Sequence, residues 1–91
     1  MYLVISYDLT NDRRRTKIHQ ALKNYGAWIQ YSVFECDISK VEYLKLRHRL
    51  EGLIKEEEGD SLRFYFLCET CKQKIERIGG IAPPTNDAIF L

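Results

Sequence analysis

Ninety-one residues, 45% hydrophobic and 12% aromatic, allow one small folded domain with a thin core and argue against disorder. A formal charge of +1 does not mark a nucleic-acid binder by bulk electrostatics, so any basic patch has to come from local clustering. No apolar run approaches the ~20 residues of a membrane span. The chain opens without a basic leader or cleavage pattern, and three cysteines, an odd number, fit reduced thiols in a cytoplasm better than a disulfide framework.

The first predicted element is a strand, Tyr2 to Asp8, almost wholly apolar and aromatic. That composition predicts a strand inside a sheet with cover on both faces, carrying Asp8 to its tip. A helix is expected from Asp12 to Tyr25, with Thr10, Asn11 or Asp12 as N-cap. Ile18, Ala21, Leu22 and Tyr25 form its buried stripe, and Gly26 is read as its C′ stop. Two strands follow, Ala27–Tyr31 and Val33–Ile38, meeting in a tight turn or bulge near Tyr31-Ser32. Ser39 and Glu42 form a capping box that opens a second helix reaching about Lys55. Its apolar face holds Tyr43, Leu46, Leu50, Leu53 and Ile54, widened by Val41 and Leu44. Glu56 to Asp60 reads as a solvated acidic turn, and Ser61 to Cys68 as an alternating strand. Lys74–Ile78 suits a short edge strand, or a helical turn from Thr70. The apolar end, Ala88–Leu91, is expected to pair with a sheet edge of this subunit or its partner.

The order gives an α+β fold, a ferredoxin-like βαββαβ sandwich with an extra C-terminal strand. Residues 1–80 are its single domain and 81–91 an extension.

Three groups of residues carry chemistry. Asp8 is either a ligand for a hard cation such as Mg2+ or a carboxylate answering Arg13–Arg15 and the helix start. One carboxylate makes a poor metal site, which a twofold dimer would repair by bringing up a second Asp8. Arg13, Arg14, Arg15 and Lys17 stand at the positive end of the helix dipole, where cations cost roughly 0.3–1 kcal/mol each. They read as phosphate contacts or as a solvated face answered by nearby acids. Tyr7, Trp28, Tyr31 and Phe34 can stack on bases, although core packing suits Phe34 better. Cys68 and Cys71 form a C-x-x-C, but Cys36, His19 and His48 are too scattered to complete a zinc site. No Gly-rich loop supports a small-ligand regulatory domain.

Tyr7-Asp8 ending an apolar strand, an Arg-rich helix running to Tyr25-Gly26, and Ile29-Gln30-Tyr31-Ser32-Val33-Phe34-Glu35 together resemble the CRISPR-associated protein 2 family. The resemblance implies a cytoplasmic homodimer in which the two Asp8 carboxylates face a cleft and bind Mg2+ or another divalent cation such as Mn2+. It implies a metal-dependent endonuclease acting on single-stranded RNA or double-stranded DNA. It also implies a partnership with the CRISPR integrase in spacer acquisition, where the dimer can serve as a non-catalytic scaffold beneath duplex DNA. By position, Asp8 is the metal ligand, and Asp8 and Tyr7, its neighbour in the motif, are the catalytic residues. Arg15 and Lys17 fall at basic nucleic-acid-handling positions, and Phe34 is structural or at the cleft. Trp28 stands where some members carry a basic residue.

Overall fold

Alternation in the first strand and helical spacing in the two long helices place one apolar surface between a sheet and a helical layer. The computed structural model describes residues 1–80. Its elements are β1 Tyr2–Asp8, α1 Asp12–Lys23, β2 Gly26–Gln30, β3 Val33–Asp37, α2 Lys40–Glu51, β4 Ser61–Leu67 and α3 Glu69–Gln73. The strands lie in the order β2-β3-β1-β4, each antiparallel to its neighbours. This is the ferredoxin-like arrangement expected, with β1 interior. The pairing expected of Ala88–Leu91, and the 81–91 extension, lie outside the described residues.

Leu3, Ile5 and Tyr7 point to the helices and pack with Ile18, Ala21 and Leu22 of α1 and Tyr43, Leu46 and Leu50 of α2. Full burial of each aliphatic side chain contributes about 1.5–3 kcal/mol. Cover on both faces of β1, as its composition suggests, is incomplete. Val4 and Ser6 are only half-buried on the far face, and Asp8 is exposed. Tyr2 is the exception there: the Lys72 ammonium lies 5.2 Å from its ring centroid, and Arg77 donates to its hydroxyl at 2.9 Å. Glu35 accepts from the Tyr2 hydroxyl and from Arg77, at 2.6 Å from the latter. The segment after α3 is thereby tied to the sheet as a coil. The edge strand at Lys74–Ile78 does not form, and the helical alternative does, as α3.

Asn11 caps α1 by accepting the Arg14 N–H at 2.9 Å. The helix ends at Lys23 with Asn24 as C-cap, so Gly26 is not its stop but the first residue of β2. A Cβ at position 26 would lie 2.5 Å from both the Cys36 sulfur and the Glu35 carbonyl oxygen. Glycine is there because the β3 backbone comes that close.

The capping box of α2 is present, with Ser39 N–H to Glu42 at 3.0 Å and Glu42 N–H to the Ser39 hydroxyl at 3.1 Å. The helix stops at Glu51, earlier than expected, because Gly52 leads into a turn; Leu53 and Ile54 still pack on the core. Val41 and Leu44 do not widen the buried face and are 62% and 52% exposed. The acidic turn is not wholly solvated either: Glu56–Glu58 make one exposed 3-10 turn, and Asp60 is buried. In β4, Leu62 and Phe64 pack on the core, whereas Phe66 is half exposed beside the Tyr43 ring, 5.1 Å away.

Candidate nucleic-acid site at the tip of the first strand

A strand turns successive side chains to opposite faces, so Tyr7 and Asp8, adjacent in sequence, serve different surroundings. Asp8 sits opposite Ser61 on the face away from the helices. It is exposed and enters no ion pair among the described residues. Tyr7 is buried on the helix side, with its hydroxyl 3.4 Å from His19 Nδ1, and burial raises its pKa above the ordinary phenol value. Its backbone N–H donates to the Ser32 carbonyl at 3.1 Å, joining the β1 tip to the β2–β3 turn.

The arginine run divides three ways. Arg14 is engaged by acids: Nε donates to Asp60 at 2.7 Å, and Nη2 reaches Asp60 and Glu58, both at 3.2 Å. Asp60 also accepts the Lys55 N–H at 2.9 Å, and chiefly the Arg14 hydrogen bond holds its carboxyl below the ordinary range. Arg15 folds back to the loop, donating to the Leu9 carbonyl at 2.8 Å and to Asp12. Arg13 and Lys17, one helical turn apart, are exposed and have no acidic partner within 4.0 Å among the described residues. Those two cations share a surface of α1.

On the helix side of the tip lies a cleft of about 380 Å3, lined by Tyr7, Arg15, Thr16, His19, Tyr31 and Ser32. The His19 ring meets Trp28 and Phe34 edge-on, each at 5.1 Å between centroids. Phe34 is fully buried, so it supports this wall from within and offers no face to a base. Trp28 is 47% exposed and donates from Nε1 to the Tyr31 carbonyl at 2.8 Å. Tyr31 has a positive φ of 40° and β2 shifts register between Trp28 and Gln30, so turn and bulge are both present.

Sequence reading took His19 only as too far from the cysteines to complete a zinc site and missed its part in the cleft. The signal was the helical spacing of Arg15, Thr16 and His19, which share one face. His48 is exposed on α2, away from the cleft.

No group of three or more His, Cys, Asp or Glu residues stands together as a metal site among the described residues. An exposed carboxylate without a protein partner nevertheless suits Mg2+, which accepts one or two carboxylates and keeps waters. Asp8 alone supplies one carboxylate of such a donor set. Cys68 and Cys71 are exposed at the start of α3, and Cys36 is buried in the core. The Cys71 N–H donates to the Cys68 sulfur at 3.3 Å and lowers the Cys68 pKa, while the Cys71 thiol is raised by the hydrogen bond and charge of Cys68. No helix among the described residues is long and apolar enough to cross a membrane.

The family model described as CRISPR associated protein Cas2 matches residues 1–75. A Chloroflexus aurantiacus protein named CRISPR-associated endoribonuclease Cas2 1 is 48% identical over 92 aligned positions, covering 100% of this chain and 99% of that protein. A Methanospirillum hungatei protein named CRISPR-associated endoribonuclease Cas2 2 is 46% identical over 88 positions, covering 97% of each. The crystal structure of Streptococcus pyogenes Cas2 at pH 6.5 matches with a TM-score of 0.74 at 31% identity, covering 87% of this chain and 100% of that one.

Proposed function

The chain belongs to the CRISPR-associated Cas2 family, and on that premise we propose that it is a metal-dependent endonuclease of CRISPR adaptation. It works as a homodimer with the CRISPR integrase and cuts single-stranded RNA or double-stranded DNA in the cytoplasm. The relatives' names as endoribonucleases support the reaction class. The observation that carries the reading is the exposed Asp8 at the β1 tip, without an ion-pair partner among the described residues, beside a helix whose Arg13 and Lys17 also lack acidic partners among them.

Asp8 from each of two chains would hold Mg2+ or Mn2+. When bound, the cation supplies Lewis-acid neutralisation of phosphodiester charge and a more acidic water. Arg13 and Lys17 hold neighbouring phosphates and add positive potential where charge accumulates. Arg15, anchored on the Leu9 carbonyl, keeps the β1–α1 loop and therefore Asp8 in place. Tyr7 fixes the other side of the tip through its N–H bond to Ser32. Its buried hydroxyl, raised in pKa, stays protonated at neutral pH and is a hydrogen-bond donor rather than a base.

The test is Mg2+-dependent cleavage of labelled RNA and duplex DNA by wild type, Asp8→Asn and Asp8→Ala. Cleavage falls at least about 100-fold in both variants with folding unchanged. Undiminished cutting removes Asp8 from the mechanism.

A second reading, a non-catalytic scaffold that binds duplex DNA and bridges integrase dimers, is favoured by one observation. Among the described residues, Arg13 and Lys17 are cations without acidic partners near the tip, whereas Asp8 is the one carboxylate there without a basic partner, so the phosphate-binding half is more complete than the hydrolytic half. Under that reading, Asp8→Asn retains integrase and duplex binding, measured by pull-down and gel shift.

A further inference from the structure

Tyr31 is 86% exposed, so its ring contributes almost nothing to the core. Its φ of 40° lies in the left-handed region, which costs a residue with a side chain about 1–3 kcal/mol and which glycine adopts freely. The turn alone therefore does not call for tyrosine. The backbone at this point is also pinned. Trp28 Nε1 donates to the Tyr31 carbonyl at 2.8 Å, and the next carbonyl, that of Ser32, accepts the Tyr7 N–H at 3.1 Å. A strained turn fixed from two sides holds an exposed aromatic residue at the wall of a cleft.

In the same lining, Arg15 supplies positive charge, His19 an imidazole, and Thr16 and Ser32 hydroxyls. Two hydrogen bonds, to Leu9 and Asp12, leave guanidinium donors of Arg15 to spare, and its side chain is partly exposed. An aromatic face, a cation, and mixed donors and acceptors are the groups that recognise a base and its phosphate. A volume of about 380 Å3 is of the size of one nucleotide.

We infer that this cleft takes one unpaired nucleotide, its base stacked on Tyr31 and its phosphate facing Arg15. A base inside a duplex has both faces covered by its neighbours, so the cleft selects single-stranded segments. The inference rests on the nucleic-acid reading above and deepens it. The strand passes over the β1 tip, held by a base on the helix side while Asp8 lies on the opposite face.

The test uses a short single-stranded RNA carrying one 2-aminopurine, titrated in EDTA so that no divalent cation takes part. Wild type quenches the fluorophore on binding. Tyr31→Gly, which removes the ring and relieves the backbone, abolishes the quench and weakens binding about 5- to 100-fold. Tyr31→Phe keeps both the quench and the affinity. The fully paired duplex binds wild type and Tyr31→Gly equally. An unquenched or absent wild-type complex, or an equal quench in Tyr31→Gly, overturns the inference. With no divalent cation present, the metal-holding role proposed for Asp8 does not enter this titration. Failure of the cleavage reading, seen only in the Mg2+ assay, is thereby separated from failure of the cleft.

Discussion

The Arg14 guanidinium grips the Asp60 carboxylate with two hydrogen bonds, 2.7 Å from Nε and 3.2 Å from Nη2, across 46 residues of sequence. The pair fastens the start of α1 to the entry of β4, and the same carboxylate closes the preceding turn through the Lys55 N–H. An arginine unfavourable to its own helix dipole is offset by a buried acid from elsewhere in the chain.

Asp60 therefore sets an acid limit on stability. Its carboxyl titrates lower in the folded protein than its ordinary value of 3.8, chiefly because of Arg14. The unfolded chain takes up the proton first as pH falls, so this contribution is present above 3.8 and is lost as pH drops through the lower folded value. Glu42 acts in the same direction through its bonds to Ser39. Asp60→Asn lowers Tm at pH 7 by roughly 5 °C or more and flattens the dependence of Tm on pH below 5, followed by circular dichroism. An unchanged acid limb in that variant means that Asp60 does not set the limit.

Gly26→Ala should be among the most damaging small substitutions. Its methyl group meets a sulfur and a carbonyl oxygen at 2.5 Å, and the oxygen belongs to the backbone of β3. Overpacking of this kind costs about 2–3 kcal/mol, a Tm decrease of roughly 10 °C or more. Adding Cys36→Ala removes the sulfur but not the carbonyl, so the double variant recovers only part of the loss relative to Cys36→Ala alone. Thermal melts of the four proteins give the coupling directly.

Tyr31→Gly moves stability the other way. The exposed ring has little packing to lose, and glycine adopts a φ of 40° without strain. Relief of that strain, reduced by glycine's greater freedom in the unfolded chain, leaves a gain of about 1 kcal/mol in urea denaturation. A loss of similar size would show that the ring packs after all.

The three thiols should separate by reactivity. Burial pushes the Cys36 thiol up to about 12, whereas the Cys71 N–H lowers the exposed Cys68. Iodoacetamide at pH 7.5 labels Cys68 first, Cys71 next, and Cys36 at least about tenfold more slowly until denaturant is added. Peptide mass spectrometry resolves the order.

Local physics made much of the fold legible. The strand at Tyr2–Asp8, the stripe of Ile18, Ala21 and Leu22, and the Ser39–Glu42 capping box each arise within a few residues, and each is found in the folded chain. The misplaced features depend on partners far along the sequence. Gly26 resembled a helix stop until β3 came within 2.5 Å of its missing Cβ. Asp60 resembled a solvated acid because Arg14 lies 46 positions away. At the site, Asp8 was visible as a carboxylate ending an apolar strand, whereas the His19–Trp28–Phe34 wall needed α1 to be seated against β2 and β3. The strain at Tyr31 left no mark, since no glycine or asparagine announced a turn.

The division of the arginine run is open to a measurement that separates charge from folding. A cation that contacts a phosphate releases condensed counterions, so each contact adds about 0.7 to the slope of log K against log salt on single strands and about 0.9 on duplex DNA. Arg13 and Lys17 have no acidic partner among the described residues, so Arg13→Ala and Lys17→Ala each reduce the slope by about one such increment and leave Tm nearly unchanged. Arg14 is already neutralised by Asp60 and Glu58, so Arg14→Ala lowers Tm and leaves the slope alone. Arg15 holds the Leu9 carbonyl and also lines the cleft, so Arg15→Ala changes both quantities. Filter binding across 50–300 mM salt, paired with thermal melts, resolves these patterns. A slope in Arg14→Ala reduced as much as in Arg13→Ala would mean that nucleic acid displaces Asp60 from Arg14, and the ion pair would then be a latch opened by the ligand.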